Sequence, residues 1–186
     1  MRIVGGAFKG AHLVTPKGRH TRPTSDRVRE SLFNILAHSF DGFALEEVQV
    51  LDLFAGSGGL AFEALSRGAA CALLVDNDAK ARGAQRENIE VLGFEGRARL
   101  FRRDATKLGP AKNMGPFGLL FLDPPYGKEL AQKALVAALD GGWLQSGAIC
   151  VIEEEARAEL ALPDLFAPLD ERIYGGTKIT FLRYKG

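Results

Sequence analysis

Cysteine is scarce in this chain, with two among 186 residues, and neither belongs to a Cys-x-x-Cys pair. Cys71 and Cys150 lie in the apolar runs AACALLV and GAICVIE, the setting of buried free thiols and not of a disulfide framework or metal ligands. Only three histidines are present, so no structural metal is expected. Long apolar runs are also missing: none approaches the roughly 20 residues that cross a bilayer, and the opening MRIVGGAFKG lacks the apolar stretch of a secretory signal. A cytoplasmic protein without membrane attachment is expected. No internal repeat or low-complexity segment is visible. With 46% hydrophobic residues, the length suits one domain with a proper core and at most a small appendage.

Net charge is only +1, but it is unevenly spread. Residues 1–29 carry seven Lys or Arg against Asp26 alone, a local +6 that leaves the rest of the chain at −5. Such a basic start is the footprint of a polyanionic partner.

From residue 49 onward, short aliphatic runs alternate with helical patterns, the signature of a βαβ array around a parallel sheet. Strands are expected at 48–54, 70–76, 97–103, 117–123 and 147–154. Helices between them should close at Gly68, Gly93 and the pair Gly141-Gly142. The tail, FAPLDERIYGGTKITFLRY, reads as an antiparallel hairpin turning at Gly175-Gly176. At the amino end, RIVGGAFKGAHLVTP reads as two short strands joined near Gly5-Gly6 or Gly10, followed by the basic loop KGRHTRP. A helix follows, capped by Thr24 or Ser25, with Val28, Leu32, Ile35 and Leu36 on one apolar face. The expected division is a basic extension over 1–23 and a catalytic domain over 24–186.

LDLFAGSGGLAFEAL places a glycine-rich turn between strand and helix, where bare backbone lets a nucleotide-like ligand approach. A nicotinamide site fits part of the pattern, since Gly56-x-Gly58-x-x-Ala61 is followed by Asp76 about 20 residues on. Asp52 argues against it. An acid four residues before the first glycine repels a pyrophosphate and attracts the cationic, phosphate-free end of S-adenosylmethionine. Phe54, Ala55, Gly56, Ser57 and Gly58 form the expected loop. Asp76, with Asn77 beside it, ends the next strand and is placed to hold ribose hydroxyls, while Asp78 serves as the helix cap and leaves Asp76 free. Asp104, followed by Ala105, is either an acceptor for the adenine amino group or a plain turn residue.

Asp123-Pro124-Pro125-Tyr126 follows the buried run FGLLFL and reaches the same sheet edge. The lone pair of an exocyclic amino group on guanine or adenine is delocalised into the ring, so the nitrogen must be polarised before it attacks. Acceptors on both N–H bonds do this: the Asp123 carboxylate on one, and a prolyl carbonyl, aimed by two fixed φ angles, on the other. Tyr126 can stack on the base. A bare proline turn with Tyr126 in the core is the plainer reading of Pro-Pro alone, but the full tetrapeptide downstream of the glycine loop is more specific.

RIVGGAFKG, TRPTSDRVRESLFNIL, LDLFAGSGGLAFEALSRGA and FLDPPY occur in that order. Through these motifs the chain resembles, over nearly its whole length, the RsmD family of small-subunit (16S) ribosomal RNA guanine-N2 methyltransferases within the class I S-adenosylmethionine-dependent enzymes. The resemblance implies a Rossmann-like α/β fold with a seven-stranded, mostly parallel sheet whose last strand is antiparallel, plus a small N-terminal β-hairpin. It implies transfer from S-adenosylmethionine to one guanine in the RNA of a small subunit or its assembly intermediate; a monomer is expected. It also assigns Asp123, Pro124 and Tyr126 to the amino group, and Phe54, Gly56, Ser57, Gly58, Asp76 and Asp104 to the cofactor. Arg2, Lys9, Lys17, Arg19 and Arg22 are then expected to meet RNA phosphates from a mobile hairpin; Arg22, Thr24 and Arg27 serve either that role or the cofactor cleft. An adenine-N6 DNA methyltransferase is the main rival, disfavoured because 186 residues leave little room for a target-recognition domain. A glutamine methyltransferase would carry Asn in place of Asp123.

Overall fold

The computed structural model describes residues 1–16, 25–125 and 129–186. Lys17, Arg19, Arg22, Thr24 and Tyr126 therefore lie outside the described residues.

Helix α1 (Asp26–His38) precedes β1 (Gln49–Leu53), α2 (Gly59–Ser66), β2 (Cys71–Val75), α3 (Ala79–Leu92), β3 (Ala98–Phe101), β4 (Phe117–Leu122), α4 (Leu130–Asp140), β5 (Leu144–Glu155), β6 (Phe166–Tyr174) and β7 (Thr177–Tyr184). A single 3-10 turn, Ala105–Lys107, follows β3. The seven strands form one sheet in the order β3-β2-β1-β4-β5-β7-β6, and only β7 opposes its neighbours. The expected parallel sheet with one reversed strand is what the chain forms. No helix among the described residues is long and apolar enough to cross a membrane.

Side chains of a strand alternate between faces, and here the alternation builds two cores. Val50, Leu74, Leu119, Phe121, Ile149 and Val151 pack with Leu32, Phe33 and Leu36 of α1, Phe62 of α2 and Ile89 of α3. Leu51, Leu53, Val75, Leu120, Leu122 and Ile152 pack on the other side with Ala131, Ala134 and Leu135 of α4. Central strands buried on both faces read as unbroken aliphatic runs, which is why they were legible in the sequence.

Capping follows the expected chemistry. Ser25 accepts from the Val28 N–H and Asp78 from the Lys80 N–H, while Gly93 ends α3 in the left-handed region. Two strand boundaries differ from expectation by more than one residue. β5 starts at Leu144, which pairs with Phe117; the register then slips, so Gly147 (φ 78°) belongs to a bulge and not to the strand start. β3 stops at Phe101, which leaves Arg102 and Arg103 exposed beyond the sheet.

The amino-terminal hairpin is short, with one antiparallel bridge between Arg2 and His12. Ile3 and Leu13 are buried in the α1–α3 core, and Gly6 sits against the Ser66 carbonyl at the end of α2. Burying these two aliphatic side chains contributes roughly 1.5–3 kcal/mol each and ties the hairpin to the domain.

Candidate active site

Four parallel strands end level with one another. Leu53 pairs with both Val75 and Leu122, and Val75 with Phe101. The residues that follow, Phe54 to Gly58, Asp76, Asp104 and Asp123, are thereby delivered to one carboxyl edge, where open α/β sheets bind ligands.

The glycine loop is held from behind. Phe54, Gly56 and Gly58 all have positive φ, at 61°, 56° and 82°. A Cβ on Gly58 would collide with Phe62 and Leu74, whereas one on Gly56 would meet only the Phe54 carbonyl at 3.9 Å. Gly58 is therefore required by packing, and Gly56 leaves a bare flank for a ligand. The Gly56 carbonyl accepts from Gln85 Nε2 (2.8 Å) and the Ser57 carbonyl from Asn88 Nδ2 (3.1 Å). Both amides are buried on α3. Ala55 is buried in the core and Phe54 half-buried.

Asp76 is not free, contrary to the expectation from its neighbour's capping role. Its Oδ2 accepts the Gly56 N–H (2.9 Å) and its Oδ1 the Asp78 N–H (2.8 Å). Two acids two positions apart at a strand-to-helix turn divide the backbone donors between them, and each Asp76 oxygen keeps a second lone pair for a ribose hydroxyl. Asn77 beside it is exposed. Asp104 accepts from both the N–H and the hydroxyl of Thr106, which holds its carboxyl below the usual range; Ala105 is buried beneath it.

Strand parity explains the remaining acids. Asp52, Asp123 and Glu153 continue the rows Val50, Phe121 and Val151 on the α1-facing side. Leu122 pairs with Ile152, so Asp123 and Glu153 are neighbours on adjacent strands. Asp52 is 2% exposed and accepts the Ala61 N–H at 3.2 Å in the first turn of α2. Burial pushes it up to about 7, with Asp76 adding repulsion. Through the Ala61 N–H it anchors the first turn of α2 behind the glycine loop. Asp123 is half-buried, and burial together with Glu153 and Asp52 raises it well above the ordinary carboxyl range. Pro124 is buried and Pro125 exposed. Both line a cleft with Leu130, Glu154, Glu155 and Glu159.

Sequence reasoning missed Gln85 and Asn88, whose polar character on an otherwise amphipathic helix gives no hint of direction. It also missed a buried ionic group. Glu63, fully buried, accepts from the Val4 N–H (2.8 Å) and Arg67 Nε (2.7 Å), and lies 4.0 Å from Arg29 Nε. Arg29 also reaches Asp26 and the Arg2 carbonyl. The available signal was a lone Glu inside GLAFEALS. Of the expected RNA contacts, Arg2 and Lys9 are exposed, with Arg2 paired to Asp26 at 2.7 Å; Arg27 is exposed on α1.

The family model described as conserved hypothetical protein 95 matches residues 1–183. The chain is 38% identical over 155 residues to ribosomal RNA small subunit methyltransferase D of Escherichia coli, covering 83% of this chain and 75% of that one. It is 32% identical over 177 residues to ribosomal RNA small subunit methyltransferase D of Haemophilus influenzae, covering 94% and 89%. Among solved structures, a candidate methyltransferase of Escherichia coli, YhhF, superposes with a TM-score of 0.85 at 32% identity, covering 100% of this chain and 98% of that one.

Proposed function

This chain belongs to the family described as conserved hypothetical protein 95, that of the RsmD methyltransferases, and on that premise we propose that it methylates the exocyclic N2 amino group of a guanine in small-subunit (16S) ribosomal RNA. The methyl donor is S-adenosylmethionine, whose use the family and fold imply, and which supplies an electrophilic carbon on a sulfonium. The observation that carries the reading is the position of Asp123, one residue beyond β4 and level with the glycine loop after β1.

In this reading Phe54 to Gly58 cradle the donor against the bare flank of Gly56, with Asp76 on the ribose, Asp104 on the adenine amino group, and Asn77 and Ala105 beside them. Asp52 favours the cationic end through its field. A carboxylate oxygen of Asp123 accepts one amino N–H of the guanine and the Pro124 carbonyl accepts the other. The nitrogen lone pair is thereby drawn out of ring conjugation towards the methyl carbon. Pro125 fixes the turn and Tyr126 stacks on the base. As the new N–C bond formed, the bond from the methyl carbon to the sulfonium sulfur would break, its electron pair returning to sulfur to leave neutral S-adenosylhomocysteine, and the nitrogen would lose a proton. Asp123, whose proton affinity burial and Glu153 have raised, is the acceptor in place. Arg2, Lys9, Lys17, Arg19 and Arg22 of the segment 1–23 meet RNA phosphates, and the domain 24–186 performs the transfer as a cytoplasmic monomer.

The test uses purified protein, radiolabelled donor, and three acceptors from cells lacking the enzyme: small subunits, naked ribosomal RNA, and DNA. Label on a guanine of the small-subunit RNA is expected. Label entering only DNA would overturn the reading in favour of an adenine-N6 DNA enzyme.

A further inference from the structure

We propose that the β3 end of the sheet is a second RNA-binding surface, on which Arg102 and Arg103 contact phosphates of nucleotides flanking the target base; the inference rests on the ribosomal RNA reading above. The first observation is the early end of β3. The sheet stops at Phe101, so Arg102 and Arg103 are both exposed at the carboxyl edge, immediately before Asp104. Arg103 lies over the Phe101 ring at 5.1 Å, an arrangement that holds a guanidinium in place without neutralising it.

A second observation is that these cations lack acidic partners. Among the described residues Lys80, Arg82, Arg86, Arg99, Arg102, Arg103 and Lys107 form no ion pair, whereas Arg2, Arg29, Arg67, Arg172 and Lys178 each do. Residues 80–107 hold eight Lys or Arg against four Asp or Glu. The opposite flank is acidic: residues 129–171 hold nine Asp or Glu against two Lys or Arg, and Glu154, Glu155 and Glu159 border Pro124 and Pro125 directly.

These two poles decide where a polyanion can lie. β3 and β5 are separated by four strand spacings, about 19 Å at 4.8 Å each, more than twice the Debye length of about 8 Å at physiological salt. Each pole therefore acts on a nearby phosphate nearly independently of the other. The β5 side repels the backbone and the β3 side attracts it. β3 is also the edge strand. Three spacings, about 14 Å, separate it from the strand of Asp123, which places its phosphates on neighbours of the extruded guanine and not on the guanine itself. Val14 of the amino-terminal arm is fixed by Asn88 to α3, the helix that leads into β3.

The experiment compares the wild-type protein, Arg102→Glu/Arg103→Glu, Arg102→Gln/Arg103→Gln, and a control pair of equal charge change on the acidic flank, Lys133→Glu/Arg157→Glu. Binding to naked 16S RNA and to small subunits is measured against salt, with S-adenosylmethionine affinity by calorimetry and thermal melting to establish that each variant is folded. Loss of two phosphate contacts should lower the slope of log affinity against log salt by about 2 and weaken binding at least about tenfold at 0.1 M salt. The Gln pair should show most of that loss, and donor affinity and melting should stay at wild-type values. Equal weakening by the control pair would reduce the effect to net charge and overturn the proposal. Loss on subunits with unchanged binding to naked RNA would assign the surface to a ribosomal protein, which also overturns it. A wild-type protein that neither binds nor methylates 16S RNA defeats the functional reading itself, whereas wild-type binding unchanged in the Glu pair defeats only this surface.

Discussion

The side-chain amide of Asn88 holds both backbone groups of Val14, accepting its N–H at 2.8 Å and donating to its carbonyl at 3.0 Å. The same Nδ2 reaches the Ser57 carbonyl at 3.1 Å. One buried residue of α3 thus joins the amino-terminal arm to the glycine loop. Met1 adds a second link from the same arm, with its sulfur 3.6 Å from the Ser57 hydroxyl.

Replacing Asn88 with Ala should remove all three bonds and leave buried backbone groups unpaired, at a cost of about 2–4 kcal/mol in a denaturation experiment. Donor affinity should fall roughly tenfold, the equivalent of about 1.4 kcal/mol from one lost loop anchor. Calorimetric affinity at the wild-type value would show that the loop keeps its shape without Asn88.

Asp123→Ala should lower methyl transfer by about 10²–10⁴ while the dissociation constant for S-adenosylmethionine stays near wild type. If donor binding is lost together with activity, Asp123 is a cofactor ligand and the proposed acceptor role is wrong.

Asp52 makes stability depend on pH with a defined sign. Its folded value is about 7 and an unfolded aspartate titrates near 3.9, so the native state holds the proton more tightly. The associated stabilisation is complete below about pH 4 and is lost as pH rises towards 7. Asp52→Asn keeps an acceptor for the Ala61 N–H and has no proton to lose. The variant should gain on the wild type over that window, with a ceiling of about 4 kcal/mol, in melts collected from pH 4 to 8. A pH-independent difference would refute this assignment.

Glu63→Ala should be among the most damaging substitutions away from the sheet edge. It strands the buried Arg29 and the Val4 N–H together, and breaking a buried ionic group typically costs about 3–5 kcal/mol. The half-exposed side of this network is more tolerant: Asp26→Asn should cost far less, since Arg2 and Asp26 face solvent. Urea denaturation of both variants provides the comparison.

The strands and helices were legible because the doubly covered sheet demands aliphatic runs of strand length, and α1 shows a clean apolar face. Caps were legible as well, at Ser25, Asp78 and Gly93, since their side-chain or backbone chemistry acts within three residues. Gly147 was misread, because a glycine at a bulge and a glycine before a strand look alike until the partner strand sets the register. Arg29 was counted only as charge. Nothing local distinguishes an arginine that faces solvent from one that meets a glutamate 34 positions away.

The sequence by itself determined the chemistry available at the site: an acid inside one strand with three glycines after it, a further acid after each of two others, and Asp123 with two prolines after a fourth. Tertiary structure alone decided which of those acids face one another. Strand parity and the pairing of Leu122 with Ile152 put Asp123 beside Glu153; burial, and then the repulsion of Glu153 and Asp52, raises the proton affinity of Asp123, while for Asp52 burial leads and Asp76 adds to it. The same folding placed Arg102 and Arg103 at one end of the sheet and the glutamates of β5 at the other, because charge separation in space follows strand order and not chain order.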